Sequence, residues 1–221
     1  MTGPVIVLLG APGSGKGTQG ALLARLLQVP VISTGDILRA ECQAGTPLGK
    51  MVEARLHSGE LVEDDLINSI VDSRISQADC AQGFLLDGFP RTAAQAQWLD
   101  RKLDECGVPL PTVLQITVPA KTLVARLTGR LQCTYCGRAY NSHFRPPAHE
   151  GFCDDDGMPL VRRADDKESI IRERLRVYDK AIAPLIQHYR DRSFHRIDGS
   201  GGPGMVLEAI ENALGLCAVG R

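Results

Sequence analysis

Short apolar runs without polar alternation recur along the chain, and between them lie longer segments whose apolar positions repeat at spacings of three and four. The runs at 5–9, 29–32, 84–87, 113–118 and 194–197 read as strands. A strand that is apolar at successive positions is covered on both faces, so these runs predict a parallel sheet lying between helices. The helical periods fall in "GALLARLL", "DDLINSIVDSRI", "AAQAQWLDRKLDECG", "KTLVARLTGRL", "IIRERLRVYDKAIAPLIQHY" and "GMVLEAIENALG". The βα alternation predicts a three-layer α/β fold with a five-stranded parallel sheet, whose ligands bind at the carboxyl ends of the strands.

Two segments interrupt that rhythm. Residues 33–62 hold two short helical patterns with no strand between them, and residues 129–166 are rich in Gly, Pro, Cys and Asp and carry no helical period. Both read as excursions from the core, the second as a small hairpin-rich lid. The expected division is a core of 1–32, 63–128 and 167–221, an insertion at 33–62 and a lid at 129–166. "GSGGPG" at 199–204 reads as a surface loop before the last helix.

Composition narrows the function classes. A chain of 221 residues supports one large core with a small insertion. A formal charge of -1 provides no general field for nucleic acid, so anions must be bound by locally placed cations. No apolar run approaches a membrane span, and "MTGPV" lacks the features of a secretion signal; the expectation is a cytoplasmic protein that meets neither membrane nor nucleic acid. Seven cysteines, an odd number, then point to reduced thiols and a metal rather than a disulfide framework.

The sharpest motif is "GAPGSGKGTQ", between the first strand and the first helix. Gly10, Gly13, Gly15 and Gly17 let the backbone curl so that successive N–H groups and a helix N-terminus face phosphate oxygens. Lys16 adds a full charge and Thr18 a hydroxyl. The spacing Gly10-x4-Gly15-Lys16 fits a phosphate-binding P-loop, with Gly17 where the general pattern has Ser or Thr. In "STGDILR", Thr34 and Arg39 offer a hydroxyl and a guanidinium to a monophosphate; alternatively Ser33 or Thr34 caps a helix and Arg39 lies on a solvated face. "FLLDGFPR" ends a strand in Asp87, suited to holding Mg²⁺-bound water or to shaping a turn, and Gly88 and Pro90 present Arg91 at the sheet edge. Arg126 and Arg130, four apart, are expected on one helix face, and Arg163 and Arg174 sit where the chain leaves the lid.

Cys133-x2-Cys136 and Cys153-x2-Asp156 form two knuckle-like pairs with sixteen residues between them, a spacing that can surround one Zn²⁺. Asp156 occupies the position of a fourth cysteine, with Asp154, Asp155 and His149 as alternatives, and a metal-free lid as the other reading. Cys42, Cys80, Cys106 and Cys217 have no partner spacing and read as buried or incidental thiols. Trp98 reads as a packing residue. Of the histidines, His143 and His149 fall in the lid and His57, His188 and His195 are expected on the surface.

Taken together, "GAPGSGKGTQ", "STGDILR", "SGELVEDD" at 58–65, "FLLDGFPRTAAQA" at 84–96 and "RRADDKESIIRERL" at 162–175 resemble the adenylate kinase family, in the family's order and over almost the whole chain. The resemblance implies in-line transfer of the γ-phosphoryl group of MgATP to AMP, giving two ADP, by a monomer. It assigns ATP to Gly13, Ser14, Gly15, Lys16, Gly17 and Thr18 with Arg126, Arg130, Ala139, Tyr140 and Gly201. It assigns the AMP phosphate to Arg39 and Arg91, and adenine to Gln95 with the backbone of Glu60, Leu61 and Val62. Thr34 and the turn Gly88, Phe89 and Pro90 are implied as further AMP contacts, making 33–62 the AMP-binding insertion. Arg163 and Arg174 are implied to touch AMP and to close on the phosphates, oriented by Asp165 and Asp166. Lys16, Asp87, Arg91, Arg126, Arg130, Arg163 and Arg174 form the implied catalytic set, and Cys133, Cys136, Cys153 and Asp156 a structural zinc site. Competing readings are a kinase for another nucleotide pair, an ATPase without an acceptor site, and a zinc-knuckle module stacking bases on Tyr135, Tyr140 and Phe144. The acidic run "CDDDG" weighs against the last.

Overall fold

The computed structural model describes residues 3–216; Cys217 and the first residues of "MTGPV" lie outside that range. At its centre is β1 (Val5–Leu9), buried at all five positions. The sheet order is β2 (Val31–Ser33), β3 (Phe84–Asp87), β1, β4 (Thr112–Thr117) and β8 (Phe194–Asp198), and every pairing is parallel. Alternate side chains of β1 serve opposite layers. Val5, Val7 and Leu9 pack with Val71 and Ile75 of α4 (Asp64–Ile75), Leu99 and Leu103 of α5 (Ala93–Glu105) and Leu185 of α7 (Glu168–Tyr189). Ile6 and Leu8 pack with Leu23 of α1 (Lys16–Leu27) and with Val206 and Ile210 of α8 (Pro203–Ala213). Two apolar layers sharing one strand explain why its sequence shows no polar alternation.

Strand register sets the position of the site. Asp87 pairs with Leu8 on one side and with Ser33 on the other. The glycine loop after β1, the start of α2 (Thr34–Gln43) and the turn after β3 therefore emerge side by side at one edge of the sheet. Ser33 caps α2 by accepting from the Asp36 N–H at 3.2 Å. Thr46 caps α3 (Pro47–Ser58) by accepting from the Gly49 N–H at 3.0 Å. These two helices occupy the first excursion, as the periodicity predicts.

The lid is a three-stranded antiparallel sheet of order β6 (Ala139–Asn141), β5 (Arg130–Cys133) and β7 (Leu160–Val161). Its buried cluster is Cys133, Tyr140 and Cys153, with Leu131 and Leu160 packed against it. So few apolar groups contribute little against the entropy of ordering such a segment, which leaves polar or metal cross-links to supply the rest.

Three expectations are corrected. The strand expected at 29–32 begins at Val31, because Gln28 takes a left-handed conformation (φ 56°) and the Val29 N–H goes back to the Ala24 carbonyl, finishing α1. Pro30, which follows, has no N–H to give a ladder. Arg126 and Arg130 do not share a helix face: α6 (Ala120–Thr128) stops at Gly129, and Arg130 opens β5 opposite Asn141. The Asn141 side chain donates to the Arg126 carbonyl at 2.8 Å, so the helix end is held by the lid strand instead of continuing. His188 is not a surface residue: its ring is half-buried and lies 2.7 Å from the Asp100 carboxylate, which also accepts from Arg192 at 2.7 Å. Trp98 does pack, edge-on to Phe89 with ring centroids 5.8 Å apart.

Candidate active site

The loop from Gly10 to Gly15 wraps the amino end of α1. Gly13 has φ +84°, and a Cβ there would come within 2.9 Å of Leu127 Cγ, so both the turn and its packing on α6 require glycine. Lys16 lies over the loop and donates to the carbonyls of Gly10 at 2.8 Å and Ala11 at 3.1 Å. Burial, with Arg91, Arg174 and Arg130 nearby, lowers its pKa to about 8, although the Asp87 charge works the other way. An ammonium turned onto carbonyls and short of compensating charge is a ready partner for an anion. Arg126 reaches the same loop, donating to the Gly199 carbonyl at 2.9 Å and the Ser14 carbonyl at 3.4 Å. Gly17 and Thr18 lie in the first turn of α1, and a Cβ on Gly17 would meet Asp87 Oδ2 at 3.4 Å, so Asp87 stands directly beside the loop.

A second cleft opens between the start of α2, the end of α3 and the turn after β3. Thr34, Arg39, Glu60, Leu61, Val62, Gly88, Arg91, Gln95 and Arg174 all line it. Thr34 donates to the Gly88 carbonyl at 3.0 Å, and Arg91 Nε to that same carbonyl at 2.8 Å. Gly88, at φ +77°, leaves room for both: a Cβ would sit 3.1 Å from the Arg91 guanidinium and 3.3 Å from the Thr34 hydroxyl. The Phe89 side chain is fully buried in the core, so only its backbone faces the turn. Among the described residues, no histidine or cysteine lines this cleft.

Between the two regions the arginines gather around four carboxylates. Asp166, 2% exposed, takes Arg130 in a two-pronged pair (Nε at 2.7 Å) and lies 3.4 Å from Arg174. Asp165 pairs with Arg174 at 2.9 Å and faces Arg39 at 4.0 Å. Asp36, between Arg39 at 2.6 Å and Arg163 at 3.4 Å, links α2 to the segment leaving the lid. Asp87 is the fourth. Burial lowers the pKa of Arg91 and of Arg163 to about 10, and neighbouring guanidiniums add to the effect. Burial lowers Arg174 as well. For Asp165, burial pushes upward, but Arg174, Arg39, Arg130 and Arg163 together hold its carboxyl below the usual range. The cluster thus holds more positive than negative charge in a crowded space, a site for a polyanion.

The lid ligands also converge. Cys133, Cys136, Cys153 and Asp156 present ligand atoms all within 4.8 Å of one another. The Tyr135 and Cys136 N–H groups donate to Cys133 Sγ (3.3 and 3.5 Å), which holds the sulfur in place toward the other three groups. The alternatives are engaged elsewhere: Asp154 accepts from the Ala148 N–H at 2.8 Å, and Asp155 pairs with Arg138. His149 is exposed. Three thiols and one carboxylate match a closed tetrahedral zinc site. Tyr140 is 3% exposed and its hydroxyl accepts from the Asp154 N–H at 2.8 Å, so its ring belongs to the lid core; Ala139 beside it is half-buried. Gly201 lies in the loop between β8 and α8.

Two polar groups in this assembly escaped the sequence reading. Asp36 carried a signal, a carboxylate three residues before Arg39 on a helix. Gln132 carried none: its carbonyl accepts from Arg163 Nε and its amide donates to the Gly137 carbonyl at 3.2 Å, contacts created only by the lid sheet.

The family model described as adenylate kinase matches residues 8–194. The chain is 47% identical over 211 residues to the adenylate kinase of Moorella thermoacetica, covering 95% of this chain and 97% of the relative. It is 45% identical over 210 residues to that of Syntrophomonas wolfei (95% and 98%) and 47% over 206 residues to that of Thermodesulfovibrio yellowstonii (93% and 96%).

The charge cluster can be tested through its most buried carboxylate. Replacing Asp166 by Asn takes the carboxylate from Arg130 and leaves Arg174 only its pair with Asp165. The expected loss of stability is about 3 kcal/mol, read as a lower urea midpoint at unchanged slope. A midpoint equal to that of the unsubstituted protein would show that Asp166 does not hold the arginines.

Proposed function

The chain belongs to the adenylate kinase family, and from that membership we propose that it catalyses reversible transfer of the γ-phosphoryl group of MgATP to AMP, giving two ADP and balancing the adenine nucleotide pool. The observation that carries this reading is the pair of neighbouring anion sites: a glycine loop with Lys16 on one side, and a cleft with Arg39 and Arg91 on the other. A simple hydrolase needs no second phosphate clamp.

In this reading the N–H groups of Gly13, Ser14, Gly15, Lys16, Gly17 and Thr18 cradle the donor phosphates, and Lys16 swings from the Gly10 and Ala11 carbonyls onto them. Arg126 and Arg130 border the donor, with Gly201 and the Ala139–Tyr140 backbone near its base. Arg39 and Arg91 hold the acceptor phosphate, assisted by Thr34 and the turn of Gly88, Phe89 and Pro90. Gln95 and the segment Glu60, Leu61 and Val62 meet the acceptor base. Arg163 and Arg174 line the path between the two phosphates and compensate charge as it spreads over the transferring group. A phosphate oxygen of AMP is already a competent nucleophile, so no general base is required. Magnesium arriving with ATP supplies further charge compensation, and Asp87 would hold its water shell beside the loop. The insertion 33–62 and the lid 129–166 close over the core, excluding water that would otherwise accept the phosphoryl group.

In the lid, Cys133, Cys136, Cys153 and Asp156 would hold Zn²⁺. With four protein ligands there is no open position for substrate, so the ion's role is to cross-link a segment with little core of its own. We place the protein in the cytoplasm as a monomer acting on ATP, AMP and ADP. The formal charge of -1 supports the absence of nucleic acid from this list, and no described helix is long and apolar enough to cross a membrane.

Three outcomes are expected. With MgATP and a panel of AMP, CMP, UMP and GMP, only AMP is phosphorylated rapidly, and Lys16→Met abolishes turnover; ATP consumption at the same rate without any monophosphate overturns the reading. At pH 8.5, where free Lys16 is mostly neutral and ATP is fully ionised, binding ATP restores the ammonium and takes up roughly three-quarters of a proton. Calorimetry in buffers of different ionisation enthalpy measures this uptake, ATP affinity falls as pH rises above about 8, and Lys16→Met removes the uptake. Finally, purified protein carries one zinc per chain, and chelation lowers the melting temperature and exposes 129–166 to protease. No stoichiometric zinc, with Cys133→Ser melting unchanged, refutes the zinc site.

A further inference from the structure

Gln95 lines the acceptor cleft, yet it is only 2% exposed, and both ends of its amide are engaged. Its Oε1 accepts from the Arg91 main-chain N–H at 2.7 Å. Its Nε2 donates to Asp64 Oδ1, also at 2.7 Å. The other Asp64 oxygen accepts from the Thr92 hydroxyl at 2.7 Å, and Thr92 Oγ1 in turn accepts from the Gln95 N–H at 3.1 Å, capping α5. Asp64 itself begins α4, where a carboxylate is favoured by the helix dipole.

The chemistry of these partners leaves the amide one orientation. An ionised carboxylate only accepts and a main-chain N–H only donates. Turning the amide over would set oxygen against oxygen at Asp64 and N–H against N–H at Arg91, losing two buried hydrogen bonds and creating two repulsions. An amide has two N–H donors and two carbonyl lone pairs, so after these contacts Gln95 retains one donor and one acceptor in a fixed order. That order fits a ring nitrogen acceptor beside an exocyclic amino donor, the N1 and N6 edge of a 6-aminopurine. A 6-oxopurine presents the reverse, a carbonyl acceptor beside an N1–H donor.

We propose that Asp64 is a specificity-determining positioning residue: by fixing the polarity of the Gln95 amide, it makes the acceptor cleft select a 6-aminopurine monophosphate over its 6-oxo counterpart. The proposal deepens the acceptor-site reading above and rests on it. Asp64 touches no substrate and acts through Gln95. Loosening it degrades recognition of the base without disturbing the phosphate clamp or the donor loop.

The test compares AMP with IMP, which differ at this edge alone, in the unsubstituted protein and in Asp64→Asn. The Asn side chain can accept from or donate to Gln95, so it removes the larger, charged half of the constraint and leaves only the Arg91 N–H to hold the amide. The expected result is that the ratio of kcat/KM for AMP to that for IMP falls about tenfold in the variant. The fall comes chiefly from a higher KM for AMP, while kcat and the KM for ATP stay within about twofold. A merely structural role would lower all parameters together and leave the ratio unchanged. An AMP-selective parent whose Asp64→Asn variant keeps both the ratio and the KM for AMP overturns the positioning role and leaves the acceptor site standing. A parent that takes IMP as readily as AMP overturns the acceptor-base reading and the proposal with it. If the variant folds poorly, the unsubstituted protein still decides the matter by NMR. Strong protection from solvent exchange of the Gln95 Nε2 proton that faces Asp64 supports a fixed orientation; exchange as fast as that of an exposed glutamine amide overturns it.

Discussion

Lys16, Arg39, Arg91, Arg130, Arg163 and Arg174 crowd one edge of the sheet, where like charges repel strongly because little water remains to screen them. Asp36, Asp87, Asp165 and Asp166 make the arrangement tolerable, and three separate parts of the fold supply them. The sheet edge contributes Asp87, the insertion Asp36, and the short turn Ala164–Asp166 the remaining two. The excess positive charge that survives this pairing leaves the cleft suited to a polyanion. The pairing also ties the segments together: Asp36 of the insertion meets Arg163 of the lid, and Asp165 and Asp166 meet Arg174 of the core.

The core meets the mechanical demand this creates. A parallel sheet apolar on both faces holds the carboxyl ends of β1, β2 and β3 in fixed register, so the glycine loop, Thr34 and Asp87 keep their mutual positions while charges are exchanged above them. The lid has no comparable core. Its three-stranded sheet buries Cys133, Tyr140 and Cys153 and little else, so its order leans on polar links and on the convergence of Cys133, Cys136, Cys153 and Asp156. Through Gln132, which bridges Gly137 of the knuckle to Arg163, the geometry of that small sheet reaches the arginine cluster.

Much of this was legible in the amino-acid order. Strands β1 and β3 and helix α4 fall where their apolar patterns place them, because a buried strand or an amphipathic helix is a local solution to local hydrophobicity. The glycine loop was equally legible, since Gly13 and Gly15 are dictated by backbone conformation, a short-range property. The family motifs identified the arginines by name, and the cleft brings Arg39, Arg91, Arg174 and Gln95 to one lining.

What the chain alone left open was settled by contacts between distant segments. Arg130 continues a helical period in the sequence, yet pairing with Asn141 takes it into a strand and turns it toward Asp166. Among four candidate fourth ligands, Asp156 converges on the thiols because the turn after Cys153 directs Asp154 and Asp155 elsewhere. The orientation of the Gln95 amide depends on Asp64, thirty-one positions away. The sequence by itself determined the layered fold, the phosphate loop and the stock of cations, because periodicity and backbone conformation act over a few residues. Only the tertiary structure decided which carboxylate meets which cation and which way each polar group faces, because hydrogen bonds and ion pairs depend on distances that chain order does not specify.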